Sequence, residues 1–176
     1  MKGHLLTGLA QGGLARRGLL AAAGGALALA GCGFELRKAP IFAFKSVSVP
    51  GTTAFVNAVR RNLRATGTVT VVPPEQQDTA EAIVEILSEA RDNLVLSTNA
   101  AGQVREFQLR LTVRFRVRTP AGKELLGPTE IQQTRDITYN ETAALAKEGE
   151  TELLYRDMQA DIAQQTLRRL AAVKSL

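Results

Sequence analysis

Two long segments near the middle of the chain alternate between apolar and polar positions. In residues 84–96 the even positions are mostly small or apolar, and in residues 107–117 every odd position carries a large apolar side chain. A period of two places successive side chains on opposite faces of an extended chain, which predicts two half-buried β-strands. Residues 99–102 (NAAG) between them predict the loop of an antiparallel hairpin.

The position of this loop predicts the pairing register of the hairpin. Thr98 should lie opposite Gln103, so that every even residue of the first strand faces an odd residue of the second. The two apolar faces then coincide, and burial agrees with pairing. The polar face should bring Glu85 opposite Arg116.

The same register predicts a cluster of arginines on the polar face. Arg91 should lie opposite Arg110, with Arg114 further along. Facing cations destabilise a sheet unless an acid or an anion relieves them. Glu89 and Glu130 are candidate partners, which would make this an ordinary solvated face. The alternative is that the three arginines bind a phosphate group.

Two amphipathic helices are expected beside these strands. The first has Thr52 or Thr53 as its cap, ends at Gly67, and turns its arginines, including Arg60, towards water. The second is longer and begins at about Thr151. Their apolar faces comprise Phe55, Val56, Val59 and Leu63 in the first helix and Leu154, Tyr155, Met158, Ile162 and Val173 in the second.

Three further apolar segments predict additional strands. They cover residues 41–49, 68–72 and 123–140, and Gly-Pro at 127–128 indicates a bulge or a sheet edge in the last of them. Strands and amphipathic helices that need one another's apolar faces form a layered domain. We therefore predict an α+β fold, with a single mixed β-sheet of about four strands packed against two α-helices.

The first 31 residues have the organisation of an export signal. Lys2 and the pair Arg16 and Arg17 precede an apolar run over residues 18–30. This run is shorter than the roughly 20 residues that a membrane-spanning helix requires, and it ends in small residues. We therefore predict a signal peptide. The paired arginines lack the usual polar flanks of a twin-arginine signal, which favours Sec export.

Residues 29–32 (LAGC) resemble the lipobox of bacterial lipoproteins. The resemblance implies cleavage before Cys32, which would carry a diacylglycerol and an N-acyl chain such as palmitate. Gly33 follows where lipoproteins retained in the inner membrane often carry Asp, so the family rule indicates the outer membrane. The predicted parts are a signal peptide over residues 1–31, a lipidated tether over 32–40 and a folded domain over 41–176.

Composition after cleavage excludes several classes of function. The only histidine, His4, and three of the 22 Lys and Arg residues leave with the leader, so that 19 basic residues face 17 acids. A net charge of about +2 gives no indication of nucleic acid binding. Without a histidine, Ser-His and Cys-His catalysis are excluded. With the sole cysteine acylated as well, His/Cys zinc sites are also excluded. We expect no enzymatic activity, no metal and no cofactor beyond the covalent lipid.

Two short motifs carry a family resemblance that spans essentially the whole mature chain. Residues 32–37 (CGFELR) follow the predicted cleavage point, and residues 154–158 (LYRDM) lie in the last helix. With the order of strands and helices, they resemble the lipopolysaccharide-assembly lipoprotein family, LptE. The resemblance implies a lipid-anchored protein on the periplasmic side of the cell outer membrane that sits inside the LptD β-barrel.

The resemblance also implies a role and a ligand. Such a protein aids barrel assembly and helps deliver lipopolysaccharide to the outer leaflet, and the anion at Arg91, Arg110 and Arg114 would be the phosphates of lipid A. Two alternatives stay open at this point. One is an auxiliary lipoprotein of an intermembrane phospholipid transporter, and the other is a hydrolase of envelope polymer that uses carboxylates alone.

Overall fold

The computed structural model describes residues 39–140 and 143–174. The predicted signal peptide, its cleavage point and Cys32 lie outside the described residues. In chain order the elements are β1 (Ser46–Ser48), α1 (Ala54–Thr66), β2 (Thr70–Val72), a short 3-10 helix (Pro74–Thr79), β3 (Ala82–Thr98), β4 (Val104–Arg118), β5 (Glu124–Thr138) and α2 (Ala144–Ala171).

The strands form one mixed sheet in the order β2-β1-β3-β4-β5. β1 runs parallel to β2 and β3, whereas β3, β4 and β5 are antiparallel. Both helices share one buried apolar cluster with the sheet. The predicted α+β fold is confirmed, with five strands. The predicted first strand over residues 41–49 is shorter in the structure, because only Ser46–Ser48 pairs with neighbours.

Helix α1 forms as its sequence predicts. The Thr53 hydroxyl accepts a hydrogen bond from the Val56 amide at the start, and Gly67 closes the helix in the left-handed conformation at φ 65°. Its four predicted apolar residues are all buried. Arg60 departs from the expectation of a fully solvated face. Its guanidinium donates to the Val49 carbonyl, at 2.6 and 2.9 Å, and thereby ties α1 to the end of β1.

Helix α2 begins at Ala144, seven residues before the predicted start. Its central part packs on the sheet through Tyr155, Met158 and Ile162, as predicted. The early turns expose Leu145 instead of burying it. Amphipathic periodicity begins only where the helix reaches the core, and this explains why the pattern indicated a later start.

The predicted hairpin register is correct at the base of the hairpin and wrong beyond it. Glu85 pairs with Arg116, as expected, but the pairing shifts by one residue between Ile86 and Ser88. From there to Val95, odd residues of β3 face odd residues of β4. One extra residue in a strand turns every following side chain to the opposite face. This is why the predicted opposition of Arg91 and Arg110 does not occur.

The loop of the hairpin lies where it was predicted. The Asn99 amide donates to the Gln103 carbonyl, and Gly102 adopts φ 81°, a left-handed conformation that suits glycine. Thr98 pairs with Val104 rather than with Gln103, a consequence of two further irregularities between Val95 and Thr98.

Candidate functional site

The sheet has two unlike faces. One face, here called the inner face, carries the odd residues of β4 and packs against both helices. The other, here called the outer face, carries the even residues of β4. In the register of the structure, this outer face includes Asp92 and Leu94 from β3, Gln108, Arg110, Thr112, Arg114, Arg116 and Arg118 from β4, and Glu130, Gln132, Thr134 and Asp136 from β5.

At the base of the outer face, Glu85 holds two arginines. Its two carboxylate oxygens accept hydrogen bonds from the Nε atoms of Arg116 and Arg118, each at 2.6 Å. Burial by itself would raise the pKa of Glu85, but the hydrogen bonds and positive charges of Arg118 and Arg116 outweigh burial and lower this pKa below its usual value. Both arginines at this end are therefore paired within the protein, through one shared carboxylate.

Further along the outer face the arginines are less completely paired. Arg114 lies 3.9 Å from the Glu130 carboxylate, which confirms Glu130 as a partner. Arg110 lies opposite Asp92 on one side and Thr134 on the other, and its Nε atom is buried without a hydrogen bond among the described residues. Acids on the flanking strands offset the arginines of β4, so the outer face carries charges of both signs.

Arg91 belongs to the inner face, where it contacts helix α2. Its guanidinium donates to the Glu152 carboxylate at 3.0 Å and stacks 4.7 Å above the centre of the Tyr155 ring. The Tyr155 hydroxyl lies 3.1 Å from the Asp92 carbonyl and 2.6 Å from the Asn93 side-chain oxygen. We call this group the Tyr155 clasp. It attaches the far half of β3, from Leu87 to Thr98, to α2. Arg91 is thereby separated from Arg110 and Arg114.

Burial raises the pKa of Tyr155, with a smaller opposing effect from the Arg91 charge. The hydroxyl therefore stays protonated and can donate. Sequence reasoning placed Tyr155 on the buried face of the helix but missed its partners on β3. Glu89 was proposed as a partner for Arg110, but it faces the other way and accepts a hydrogen bond from the Thr53 hydroxyl at the start of α1.

A hollow of about 290 Å³ opens beyond the clasp, between the inner face and the first turns of α2. Its apolar floor includes Phe107 and Tyr139, whose rings meet edge to face at 5.4 Å. Lys147 and Glu148 line its rim, and Lys147 is paired with Glu150 at 2.8 Å. Both signs of charge therefore lie at the entrance.

The far half of β3 exposes apolar side chains. The exposed fractions are 44% for Leu87, 37% for Leu94, 53% for Val95 and 48% for Leu96. Single exposed apolar residues are ordinary, but Leu94, Val95 and Leu96 are consecutive and lie beside a strand edge that no described strand pairs, which makes them a candidate interaction surface.

The described residues hold no group of three or more His, Cys, Asp or Glu side chains that could bind a metal ion. Within those same ranges, no helix combines the length and apolar character needed to cross a membrane. The described part of the chain presents two candidate interaction surfaces, namely the outer face with charges of both signs and the exposed apolar part of β3.

Comparison with known proteins relates this architecture to one family. The sequence model of the LptE family, described as Lipopolysaccharide-assembly, matches residues 44–170. The chain is 30% identical over 152 residues to the LPS-assembly lipoprotein LptE of Pectobacterium atrosepticum. The aligned region covers 84% of this chain and 80% of that protein. It is 32% identical to the protein of the same name from Yersinia enterocolitica, covering 84% and 72%.

A solved structure supports the same relation. The chain resembles lipoprotein B from Nitrosomonas europaea with a TM-score of 0.67 and 33% sequence identity, over 80% of this chain and 91% of that one. None of these comparisons supports the alternative of a phospholipid-transport lipoprotein. The family and its relatives indicate a lipoprotein of the cell envelope that takes part in lipopolysaccharide assembly, which is not a class of enzyme. Because the family match runs from two residues before β1 almost to the end of α2, the chain belongs to the LptE lipopolysaccharide-assembly family.

Proposed function

We propose that this chain is an outer-membrane lipoprotein that forms a plug and assembly complex with an LptD β-barrel and helps insert lipopolysaccharide into the outer leaflet. The observation that carries the proposal is the family match over residues 44–170, which spans nearly the whole described domain. The role requires binding surfaces rather than a reaction centre. The exposed apolar strand and the charged outer face supply such surfaces.

Copurification tests the barrel partner. We expect a tagged, full-length chain extracted from membranes in mild detergent to bring down one large outer-membrane barrel in a one-to-one ratio, identified by mass spectrometry. Recovery of inner-membrane transporter subunits without a barrel would contradict the proposal.

Anchoring through Cys32 is the second part of the proposal. The lipid would hold the domain on the periplasmic side of the outer membrane, with residues 32–40 as a tether. Cys32→Ala should abolish incorporation of a labelled fatty acid, because the chain has no other cysteine. Label retained on this variant would show that the anchor lies elsewhere.

Direct contact with lipopolysaccharide is the third part, and the structure limits which arginines can contribute. Arg110 and Arg114 share the outer face. The Nε atom of Arg110 is buried, so a phosphate would contact this guanidinium through its Nη atoms. Arg91 is engaged on the other face by Glu152 and Tyr155. We therefore assign the phosphate contacts of lipid A to Arg110 and Arg114.

The double variant Arg110→Glu with Arg114→Glu tests this contact. Binding of purified lipopolysaccharide should fall by roughly tenfold or more, since each charge-assisted hydrogen bond contributes about 1.5 to 3 kcal/mol before screening. Arg156→Glu with Arg168→Glu, at exposed positions of α2, is the charge-matched control. Equal binding by both variants would remove the outer face from the mechanism.

A further inference from the structure

Strand β3 has a long edge that no described strand covers. On that side, β1 pairs with β3 only at Ala82 and Ile83. The loop that follows β1 contacts the edge through the hydrogen bond from Thr53 to the Glu89 side chain, near Ser88, and adds no strand there. In an antiparallel ladder, alternate residues direct both backbone N–H and C=O away from the paired strand. The regular stretch Ser88–Val95 therefore presents about four N–H and four C=O groups on its free side.

The free edge of β5 is protected, and the far part of the β3 edge is not. β5 carries Pro128 at a break in its pairing with β4, and charges at Glu130, Arg135 and Asp136. Proline, irregular pairing and charge are the features that prevent edge strands from pairing with other chains. Residues 93–98 (NLVLST) of β3 contain no charge, no proline and no glycine.

Side chains beside this edge favour an apolar partner. Leu94 lies on the outer face and Val95 on the inner face, since they pair with Gln108 and Phe107. An added strand would place its own side chains next to Leu94 on one face and next to Val95 on the other. The hydrogen-bonding groups would supply affinity, and pockets beside alternate side chains would supply specificity.

A second copy of this chain fits the edge poorly. In a twofold antiparallel pair, every residue lies opposite a residue of the other copy on the same face of the sheet. The twofold axis must therefore pass midway between the two copies of one residue. The two symmetric registers that overlap Ser88–Val95 most fully place Arg91 opposite Arg91 or Asp92 opposite Asp92. Facing like charges destabilise the pair. Registers centred on Asn93 or Leu94 avoid these charges, but they keep at most five regularly paired residues of each copy, because the pairing of β3 is irregular beyond Val95. A strand from a different protein avoids this.

We propose that the free edge of β3 over Ser88–Leu96 binds an extended, largely uncharged segment of the barrel partner, which adds to the sheet as a neighbour of β3. This inference rests on the proposed function, which supplies the partner. This segment must lie outside the strands of the barrel wall. Strands in a closed barrel already pair with a neighbour on both sides and have no free backbone N–H or C=O groups.

Amide hydrogen exchange of the full lipidated protein, alone and in its barrel complex, is the direct test. Complex formation should slow exchange at least tenfold at every second amide of Ser88–Leu96, namely those that β4 does not already protect. Amides of β5 at 129–138 should change little. Unchanged amides on β3 in a complex that does contain the barrel would overturn the inference while the proposed function stands. A preparation that yields no barrel would overturn both.

Charge substitution tests the same edge independently. Leu94→Lys with Leu96→Lys should lower the amount of copurified barrel by tenfold or more, because strand addition would bring both ammonium groups against apolar side chains. The matched control is Leu145→Lys with Leu153→Lys, two exposed leucines of α2. Circular dichroism should show both variants folded. Undiminished barrel recovery with the β3 variant would contradict the inference.

Discussion

The base of the β3-β4 hairpin and its far half have the same strands but opposite surroundings. At the base, Ala82, Ile83 and Val84 are fully buried, and β3 has β1 on one side and β4 on the other. Beyond Leu87, β3 keeps only β4, and Leu94 to Leu96 are exposed. Burial at the base stabilises the fold, whereas the far half presents backbone and apolar groups that the described domain leaves unused.

The shift in pairing between Ile86 and Ser88 separates the two regions. Before it, the polar residue Glu85 faces outwards to Arg116. After it, Glu89 and Arg91 face inwards and find partners on the helices. An extra residue in one strand thus changes which side chains meet the core, without ending the strand.

The largest expected effect is loss of a core side chain at the base. Phe115 is fully buried, so Phe115→Ala should lower the free energy of unfolding by about 3 to 5 kcal/mol through lost burial and a cavity. Leu94→Ala, in the far half, should cost less than about 1 kcal/mol because its side chain is already partly in water. Urea unfolding compares the two, and equal costs would erase the distinction between base and far half.

A smaller effect is expected at Glu85, whose carboxylate binds two arginines at the base of the hairpin. Glu85→Gln should cost about 1 to 2 kcal/mol, because it weakens hydrogen bonds to two arginines at a partly buried site. The folded-state pKa of Glu85 is lowered, so its stabilisation is complete above the ordinary value of 4.5 and is lost as pH falls through the folded-state pKa.

The pH dependence of that substitution provides its own control. The difference in unfolding free energy between wild type and Glu85→Gln should be constant near neutral pH and shrink below about pH 4.5. A difference that does not change with pH would mean that the charge of Glu85 is not what stabilises the base.

The Tyr155 clasp should have a local effect on the far half. Tyr155→Phe removes a hydroxyl near the Asp92 carbonyl and the Asn93 side chain, at a cost of about 1 kcal/mol. Amide exchange in β3 beyond Leu87 should speed up more than exchange at the base. Uniform acceleration across both regions would show that the clasp stabilises the whole domain instead.

The smallest effect is expected at the exposed strand. Leu96→Lys should change the free energy of unfolding by less than about 0.5 kcal/mol, since surface substitutions without specific contacts are usually near neutral. A thermal melt of the isolated protein checks this. A large loss of stability would mean that Leu96 supports the fold rather than a partner.

Much of the fold could be predicted from local patterns. The alternation in β4, the cap at Thr53 and the terminating Gly67 each depend on neighbouring residues, and each forms as expected. The pairing at the hairpin base also followed, because matching two apolar faces allows one register there. The proposed arginine site was less predictable, since it depended on that register continuing past Leu87.

The sequence by itself determined the element types, the apolar faces, the α+β class and the family resemblance, because these depend on periodicity and short motifs. Only the tertiary structure decided that Arg91 leaves the outer face while Arg110 and Arg114 remain there. That outcome depends on a single shift in pairing at Leu87, and on partners that lie far away in sequence: Glu152 and Tyr155 for Arg91, and Thr53 for Glu89. Alternation along one strand records which residues are polar, but the face on which a polar residue is satisfied depends on what the rest of the chain places there.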